Sequence, residues 1–344
     1  MEVDIFELHV NIKNSILQIK CLDKNLYECA PDSKIWSKNT LGPKMLSRLI
    51  DKNCTSFQNC VSIFEHLRHI FSFEELCLHV NLKGMTVEFF KEILTEPALK
   101  YYGFLRLDGE EIDAECLDLV METANSYSDL EIMGTKVPEG YYHKNAFKFN
   151  DVAYRHAEWV RLEHLFTLKD SFVITLERHS LTGFDVNTFI KFWIESDHDM
   201  VQILKLERRK KFEPAILFDG IIVLVGRNVP FYLVAANTTK QRKYQIMGVG
   251  WFGNIIRMYS WEKDQPIKLG NRVFESFEPE YKVLMILNKK KELEEELEKI
   301  QSILETNQDQ NVIKKNEISR ELRSVSVELD NYKLVLRDGI YRYT

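Results

Sequence analysis

A loose repeat of strand, turn and helix runs through the middle of the chain and recurs roughly every 25 to 40 residues. Its first unit has a strand pattern over residues 75–80, where apolar and polar side chains alternate. Thr86 then stands at the N-cap of a helix over 87–94, which Pro97 ends. One such unit cannot bury its apolar face, whereas stacked neighbours can. The repeat therefore predicts an α/β fold, an irregular leucine-rich-repeat-like solenoid with a sheet on one side and helices on the other.

Later units follow the same pattern less regularly. The pattern predicts further strands and helices, in chain order: strand 102–107, helix 113–125, strand 130–132, strand 172–176, helix 185–195 and strand 200–206. The residues between 132 and 172 are interpreted as an insertion. Because the units are irregular, an ordinary doubly wound α/β domain remains the alternative.

The segments on either side of the repeat have different patterns of apolar residues. Residues 1–20 alternate with a break at 13–15, which predicts two short strands joined by a turn. A loop and then helical spacing over 44–71 follow. Residues 215–262 predict β-hairpins divided by Gly, Asn and Pro, and their apolar run 216–225 is interpreted as a buried strand.

The C-terminal part of the chain carries two apolar stripes at spacings of three and four. Their members are Ile286, Lys290, Leu293, Leu297, Ile300 and Leu304, in which Lys290 is the one charged residue, then Ile318, Leu322, Val325, Leu329, Tyr332 and Leu336. A polar stretch over 306–315 separates them, so the pattern predicts an antiparallel helical hairpin or coiled coil over 280–337. Pairing within one chain and self-association through the hairpin both remain open.

These patterns predict three regions. Residues 1–72 form N-terminal strands and helices, residues 73–262 form the repeat-like region with a core block at 147–207, and residues 280–337 form the helical hairpin.

The charge of the chain disfavours nucleic acid as a partner. The net charge is −6, so no overall positive field attracts phosphate groups. Two basic runs, 208–211 and 240–243, are interpreted as solvated loop or edge charges, with an acidic partner as the alternative. No window contains the ~18 apolar residues that a membrane span requires.

The first residues show neither a basic segment nor a long apolar one, so no signal peptide is predicted. The six cysteines show no CxxC spacing, which is typical of unpaired thiols. We therefore expect a reducing compartment, either the cytoplasm or the nucleus.

Motifs that carry chemistry are weak. Residues 248–253 match GxGxxG, but a dinucleotide loop needs a helix after it, and residues 254–261 have strand spacing. A glycine-rich β-turn is the better interpretation. His66 and His69 share a predicted helical face without a third ligand, which favours a surface pair over a metal site. The sequence predicts no catalytic, cofactor-binding or metal-binding residue and no cofactor, and therefore no enzyme, although an unknown reaction is the third alternative. The residues that bind a protein substrate are not identified.

The block over 147–207 resembles the F-box-associated domain of type 2, which is expanded in nematodes. The resemblance is carried by residues 174–177 (ITLE), 180–182 (SLT), 185–194 (DVNTFIKFWI) and 200–206 (MVQILKL). Within it, Val186, Phe189, Ile190 and Trp193 are spaced as one apolar helical face. An F-box, about 45 residues with Leu-Pro near its start, is not recognisable in residues 1–50.

The resemblance implies the substrate-recognition part of a cullin-type ubiquitin ligase receptor. Its partners would be an unknown protein substrate and, only if an F-box lies upstream, the Skp adaptor and cullin ligase. The function predicted is thus a non-catalytic protein-interaction module that binds an unknown protein through the sheet face of its repeat-like region. A scaffold that self-associates through its C-terminal coiled coil is the alternative.

Overall fold

A computed structural model describes residues 4–12, 15–22, 51–70, 75–109, 111–207, 212–237, 239, 241–303 and 308–344. The chain divides into two compact units. The first unit comprises residues 1–161 and 171–180, and the second comprises residues 162–170 and 181–344.

The first unit begins with an antiparallel strand pair. Strand β1 (Asp4–Ile12) pairs with β2 (Ser15–Leu22) and, on its other side, antiparallel with β3 (Glu75–Asn81). The two strands predicted for residues 1–20 are therefore confirmed. Of the helical spacing predicted over 44–71, the structure shows α1 (Ser56–Ile70), while residues 44–50 and the preceding loop lie outside the described residues.

Parallel strands follow one another in chain order. Strand β3 is followed by β4 (Phe104–Asp108), β5 (Asp129–Met133), β6 (Asp151–Tyr154) and β7 (Ser171–Leu176), and each pairs in parallel with the next. A doubly wound sheet would reverse its strand order at a switch point, and β3 to β7 show no reversal. The predicted α/β class is confirmed.

Two helices connect the first of these strands. Helix α2 (Val87–Thr95) begins at its predicted cap, because Thr86 Oγ1 accepts a hydrogen bond from the Phe89 amide at 3.2 Å. A single 3-10 turn (Pro97–Leu99) then leads into β4. Helix α3 (Ala114–Glu122) is capped by Asp113, whose carboxylate accepts from the Cys116 amide at 2.8 Å.

The predicted insertion between residues 132 and 172 is wrong, because it contains β6. This strand has only four residues and pairs with β5 and β7. Two apolar side chains, Val152 and Tyr154, are too few to give a periodic signal in the sequence. Long-range pairing therefore defines this strand.

The second unit contains mostly antiparallel strands. Its elements are α4 (Leu162–Phe166), α5 (Gly183–Glu195), β8 (Val201–Glu207), α6 (Pro214–Leu217), β9 (Leu224–Val225), β10 (Tyr232–Ala235), β11 (Ile246–Phe252), β12 (Ile255–Trp261), β13 (Ile267–Leu269), β14 (Arg272–Phe274), α7 (Glu278–Ile303), α8 (Gln308–Asp330), β15 (Leu334–Arg337) and β16 (Ile340–Tyr343). Its main sheet has the order β15-β16-β9-β10-β11-β12-β8, and β13 pairs with β14 separately.

The hairpins predicted over 215–262 are confirmed by the antiparallel pairs β10–β11 and β11–β12. The buried strand predicted over 216–225 is wrong for most of its length. Pro214 opens the short helix α6, and only Leu224 and Val225 pair as a strand. Apolar character alone did not separate a buried helical turn from a strand.

The C-terminal helical pair is confirmed. Ion pairs join Lys289 to Glu321 and Lys314 to Glu296, so α7 and α8 run antiparallel. The apolar stripes bury each other, with Leu293, Ile300, Ile318 and Val325 at 8% exposure or less. Coiled-coil packing and self-association through this pair stay predictions.

The predicted extension of the helical hairpin to residue 337 is wrong. Helix α8 ends at Asp330, and Lys333 takes a left-handed conformation with φ of 49°. Strands β15 and β16 then form a hairpin around Asp338 and Gly339, whose φ angles are 52° and 74°. Asp-Gly at a two-residue turn is a strong hairpin signal because both residues tolerate positive φ.

The GxGxxG segment lies mainly in a strand. Gly248 and Gly250 belong to β11, and Gly253 lies in the turn to β12. A Cβ atom on Gly248 would come within 2.5 Å of the Trp261 ring, and one on Gly250 within 2.6 Å of the Phe231 ring. These glycines therefore make room for aromatic rings, and β11 is followed by a strand, not by a helix N-terminus that could bind pyrophosphate.

Candidate functional site

The parallel strands β3 to β7 have two unlike faces. The side chains of one face are buried, and examples from each strand are Leu78, Leu105, Ile132, Val152 and Ile174. Helix α3 covers this buried face, since the Tyr154 hydroxyl lies 4.0 Å from the Met121 sulfur. Connections between parallel neighbours are right-handed, and strands added in one direction keep their connections on one side. In the part of the chain that the structure describes, helices therefore cover one face and leave the other open.

We call the other side of these strands the open face. Its side chains form three rows across β3 to β7, the last row ending just beyond β6 and β7: Cys77, Phe104, Asp129, Asp151 and Val173; His79, Arg106, Glu131, Ala153 and Thr175; Asn81, Asp108, Met133, Arg155 and Glu177. Every member except Val173 is partly or largely exposed. The open face is therefore an accessible surface built by five neighbouring strands of the described chain.

Negative charge predominates on the open face. It carries five carboxylates and two guanidinium groups: Asp108, Asp129, Glu131, Asp151 and Glu177; Arg106 and Arg155. The carboxylates are distributed over β4 to β7, so no single pair dominates.

Both arginines of the open face are held by carboxylates. Arg106 Nε donates to Asp108 Oδ2 at 2.8 Å, and its Nη1 lies 3.7 Å from Glu131 Oε2. Burial alone would lower the pKa of Arg106, but Asp108 and Glu131 together raise it above its usual value. Arg155 Nε lies 3.4 Å from Glu177 Oε2. The arginines are thus fixed within the face, and the carboxylates remain in excess.

Hydrogen bonds fix the acidic first row. Asp129 Oδ1 accepts hydrogen bonds from Asn150 Nδ2 and from the Asp151 amide, both at 3.0 Å. This contact ties the start of β5 to the start of β6. The position of the Asp129 carboxylate is therefore set by the Asn150 side chain and the Asp151 backbone.

Two tyrosines stand at the N-terminal ends of the strands. Tyr101 precedes β4 and is 77% exposed, and Tyr127 precedes β5 and is 90% exposed. The Lys100 ammonium lies 5.9 Å from the centre of the Tyr101 ring, within cation–π range. Exposed tyrosines are enriched where proteins bind other proteins, because they offer a rigid ring and a polar hydroxyl.

A groove of about 700 Å³ lies within the second unit. Its lining includes the apolar side chains Ile194, Ile222 and Met285. Its rim carries lysines and glutamates, and Lys291 Nζ donates to the Gly220 carbonyl at 2.7 Å. The groove is open and its charges are mixed, so it lacks the few converging polar groups typical of a small-molecule site.

The histidines singled out in the sequence lie apart from both features. His66 and His69 are exposed on α1, and His66 Nδ1 lies 2.8 Å from the Ser62 carbonyl oxygen. Among the described residues, no three His, Cys, Asp or Glu side chains meet in a way that could hold a metal ion. In the same part of the chain, none of the helices is both apolar and long enough to cross a bilayer.

The interpretation of residues 240–243 as solvated charges is wrong for Arg242. This side chain is 8% exposed, its guanidinium lies 3.9 Å from the Trp193 ring centre, and Nη1 donates to the Trp193 carbonyl at 2.6 Å. Burial lowers the pKa of Arg242 to about 10, against the opposing effects of Asp199, Tyr281 and Glu195. Residues 208–211 lie outside the described residues.

Helix α5, the centre of the predicted core block, has the expected apolar face. Val186, Phe189, Ile190 and Trp193 are all buried. Thr182 and Asp185 form a reciprocal capping box that begins the helix. This local signature, Thr followed three residues later by an acidic side chain, fixes the start of α5.

The sheet was predicted from the sequence as a binding surface, but the residues on it were not. The alternation within 104–108 and 129–133 would have marked Arg106, Asp108 and Glu131 as one face. Their alignment into rows depends on strand register, which a single sequence does not provide.

The comparison with protein families confirms the predicted resemblance. Residues 142–206 match the sequence model of the F-box associated family. The Caenorhabditis elegans protein described as Skn-1 dependent zygotic transcript 15 protein is 24% identical over 167 residues. The aligned region covers 46% of this chain, and the chain spans about half (47%) of the length of that relative. No solved structure matches.

Proposed function

We propose that this chain is a non-catalytic protein-binding module that recognises a protein substrate through the open face. The single observation that carries the proposal is this face, an accessible sheet surface that the described helices of its own unit leave uncovered. Sheet surfaces built from strand–helix units characteristically bind other proteins. The family match adds that such a domain accompanies an F-box.

The wider setting of the proposal is a cullin-type ubiquitin ligase in the cytoplasm or nucleus. There the chain would supply recognition of the substrate, and an F-box would supply contact with the Skp adaptor. We also propose that β3 to β7 and their connections form a leucine-rich-repeat-like solenoid. The parallel order of these strands along the chain supports that arrangement.

The test is affinity capture with a variant that blocks the open face. Ala153 lies in the middle row on β6, so Ala153→Arg places a long charged side chain at the centre of the face. The control is Thr95→Arg, at an exposed position near the end of α2. Both proteins are first compared by circular dichroism, and captured proteins are then quantified by mass spectrometry.

We expect Thr95→Arg to retain the proteins that the unaltered chain captures and Ala153→Arg to lose them. If an F-box recruits the Skp adaptor and cullin, both proteins should be recovered with both variants. A captured set that Ala153→Arg leaves unchanged would contradict binding through the open face.

A further inference from the structure

We infer that the open face takes a segment of its partner that is rich in lysine and arginine. This inference rests on the proposed function and names the chemistry of the substrate surface. Its basis is the distribution of charge and of exposed aromatic rings on the first unit.

The charge argument begins from the arginines of the face. Arg106 and Arg155 are each within ion-pair distance of a carboxylate of the same face. They therefore do not offer a free positive site to an acidic ligand, and five carboxylates against two arginines leave an excess of negative charge. Complementary charge steers association and excludes wrong partners.

The spacing of the carboxylates favours an extended partner. Neighbouring strands lie about 4.8 Å apart, so acidic side chains on β4 to β7 are spread over roughly 15 Å. Asp129 and Asp151 occupy the first row, and Glu131 lies in the second. A single cation would contact one or two of these carboxylates, whereas several basic side chains along a segment could contact most of them.

The exposed tyrosines strengthen the same conclusion. A guanidinium or ammonium group placed over an aromatic ring is attracted by the negative face of the ring. Tyr127 is 90% exposed, whereas the Lys100 ammonium already lies 5.9 Å from the centre of the Tyr101 ring. A basic side chain of a partner could thus contact the Tyr127 ring while others contact carboxylates across the strands.

Unlike the open face, the groove of the second unit has no excess of one charge that would indicate the charge of its ligand. Its rim combines three lysines with three glutamates: Lys191, Lys289, Lys291, Glu195, Glu292 and Glu295. The open face is therefore the surface whose charge specifies a partner.

The experiment uses opposite charges at one position of the open face. Thr175 is partly exposed in the middle row on β7, and it is replaced by Lys in one full-length variant and by Glu in another. Thr95→Lys and Thr95→Glu on α2 are the matched controls. The probe is a fluorescent peptide in which arginine alternates with serine, and a second peptide has glutamate in place of arginine. Binding is measured by fluorescence anisotropy at low and at high salt.

We expect the arginine peptide to bind the unaltered chain and the glutamate peptide to bind more weakly. Thr175→Lys should weaken binding of the arginine peptide about fivefold, and Thr175→Glu should preserve or strengthen it, since one exposed ion pair contributes up to about 1 kcal/mol. The same changes at Thr95 should have less than about a twofold effect, and high salt should reduce all of these differences. Equal effects of Lys and Glu at position 175, or preference for the glutamate peptide, would overturn the inference.

Affinity capture with the same variants separates this inference from the proposed function. Retention of captured proteins by Thr175→Glu and their loss with Thr175→Lys would support both. Equal loss of captured proteins with both variants would still support recognition through the open face, but it would contradict the inference that the partner segment is basic. Unchanged capture with both would count against recognition through the face itself, and with it against the inference.

Discussion

The strands of the two units are buried in different ways. In β4 of the first unit, partly exposed and buried side chains alternate along the strand. In β11 of the second unit, five consecutive residues, Ile246–Gly250, are buried. The first pattern has one packed face, whereas the second has two.

The difference shows what each sheet provides. Rings pack on both sides of the second sheet, since Phe231 contacts Tyr259 and Trp261 on one side and Tyr232 contacts Trp251 on the other. Such a sheet contributes stability and has little surface left for a partner. Among the described residues, β3 to β7 of the first unit are packed on their helical side, and their polar side is exposed.

The largest expected effect tests the packing of the second sheet. Gly248→Val should lower the free energy of unfolding by about 3 kcal/mol, because the new side chain would overlap the Trp261 ring. The matched change on the open face, Ala153→Val, should change it by less than about 0.5 kcal/mol. Urea unfolding of both variants measures the difference. Similar losses in the two variants would show that the sheets do not differ in packing.

The next effect compares the two faces of the first unit through its cysteines. Cys77 lies on the open face, and Cys116 is buried on α3, where burial, followed by Asp113, raises its pKa to about 12. At pH 8 we expect Cys77 to be alkylated at least about thirtyfold faster, because the thiolate is the reacting form. A short pulse of iodoacetamide with peptide mass spectrometry measures both rates. Faster reaction at Cys116 would contradict the assignment of the two faces.

The same pKa shift gives stability a pH dependence. The Cys116 thiol ionises more easily in the unfolded chain than in the folded chain. The stability that the neutral thiol gives the folded state is therefore complete below about pH 9, and it is lost as the pH rises towards 12. Cys116→Ala should reduce that loss, whereas Cys54→Ala, at an exposed thiol, should not. Urea unfolding between pH 8 and pH 10 provides the comparison.

A smaller effect concerns the helix caps of the two units. Thr182→Ala removes a cap in which the threonine and Asp185 bond reciprocally, and Thr86→Ala removes a simpler cap. We expect Thr182→Ala to lower the free energy of unfolding by about 1.5 kcal/mol and Thr86→Ala to lower it by about 1 kcal/mol, near the usual range for N-caps. Thr188→Ala, within α5, serves as the control. A larger loss at Thr86 would reverse the expected ranking.

The smallest expected effect on stability belongs to the exposed tyrosines. Replacing both Tyr101 and Tyr127 by Ala should change the unfolding free energy by less than about 0.5 kcal/mol. The same double variant should capture markedly less partner, because exposed rings contribute to binding and not to packing. A double variant that unfolds more easily yet captures normally would assign these rings to the fold.

Much of the fold could be predicted because local signals agreed with the tertiary structure. Thr86 before α2 and the apolar face of α5 are examples in which cap and periodicity point to the same helix. Strand β6 was missed because its four residues depend on pairing. The β15–β16 hairpin was missed although Asp338-Gly339 signalled it, because Leu336 also continued a helical spacing.

The candidate site was predicted only as a kind of surface. Arg242 shows why charge in a sequence is a poor guide to exposure, since it packs on Trp193 in the interior. Arg106, in contrast, becomes part of a surface only when Asp108 and Glu131 are aligned beside it. That alignment depends on the pairing of β4 with β5, over twenty residues apart in the chain.

The most direct measurement of the central claim is photocrosslinking from the open face. A photoreactive amino acid is placed at Ala153 in one protein and at Thr95, on the helical side, in another, and both are irradiated in cells. We predict covalent adducts with a partner protein from position 153 and few from position 95. Adducts from position 95 together with none from position 153 would contradict the claim that the open face recognises the substrate.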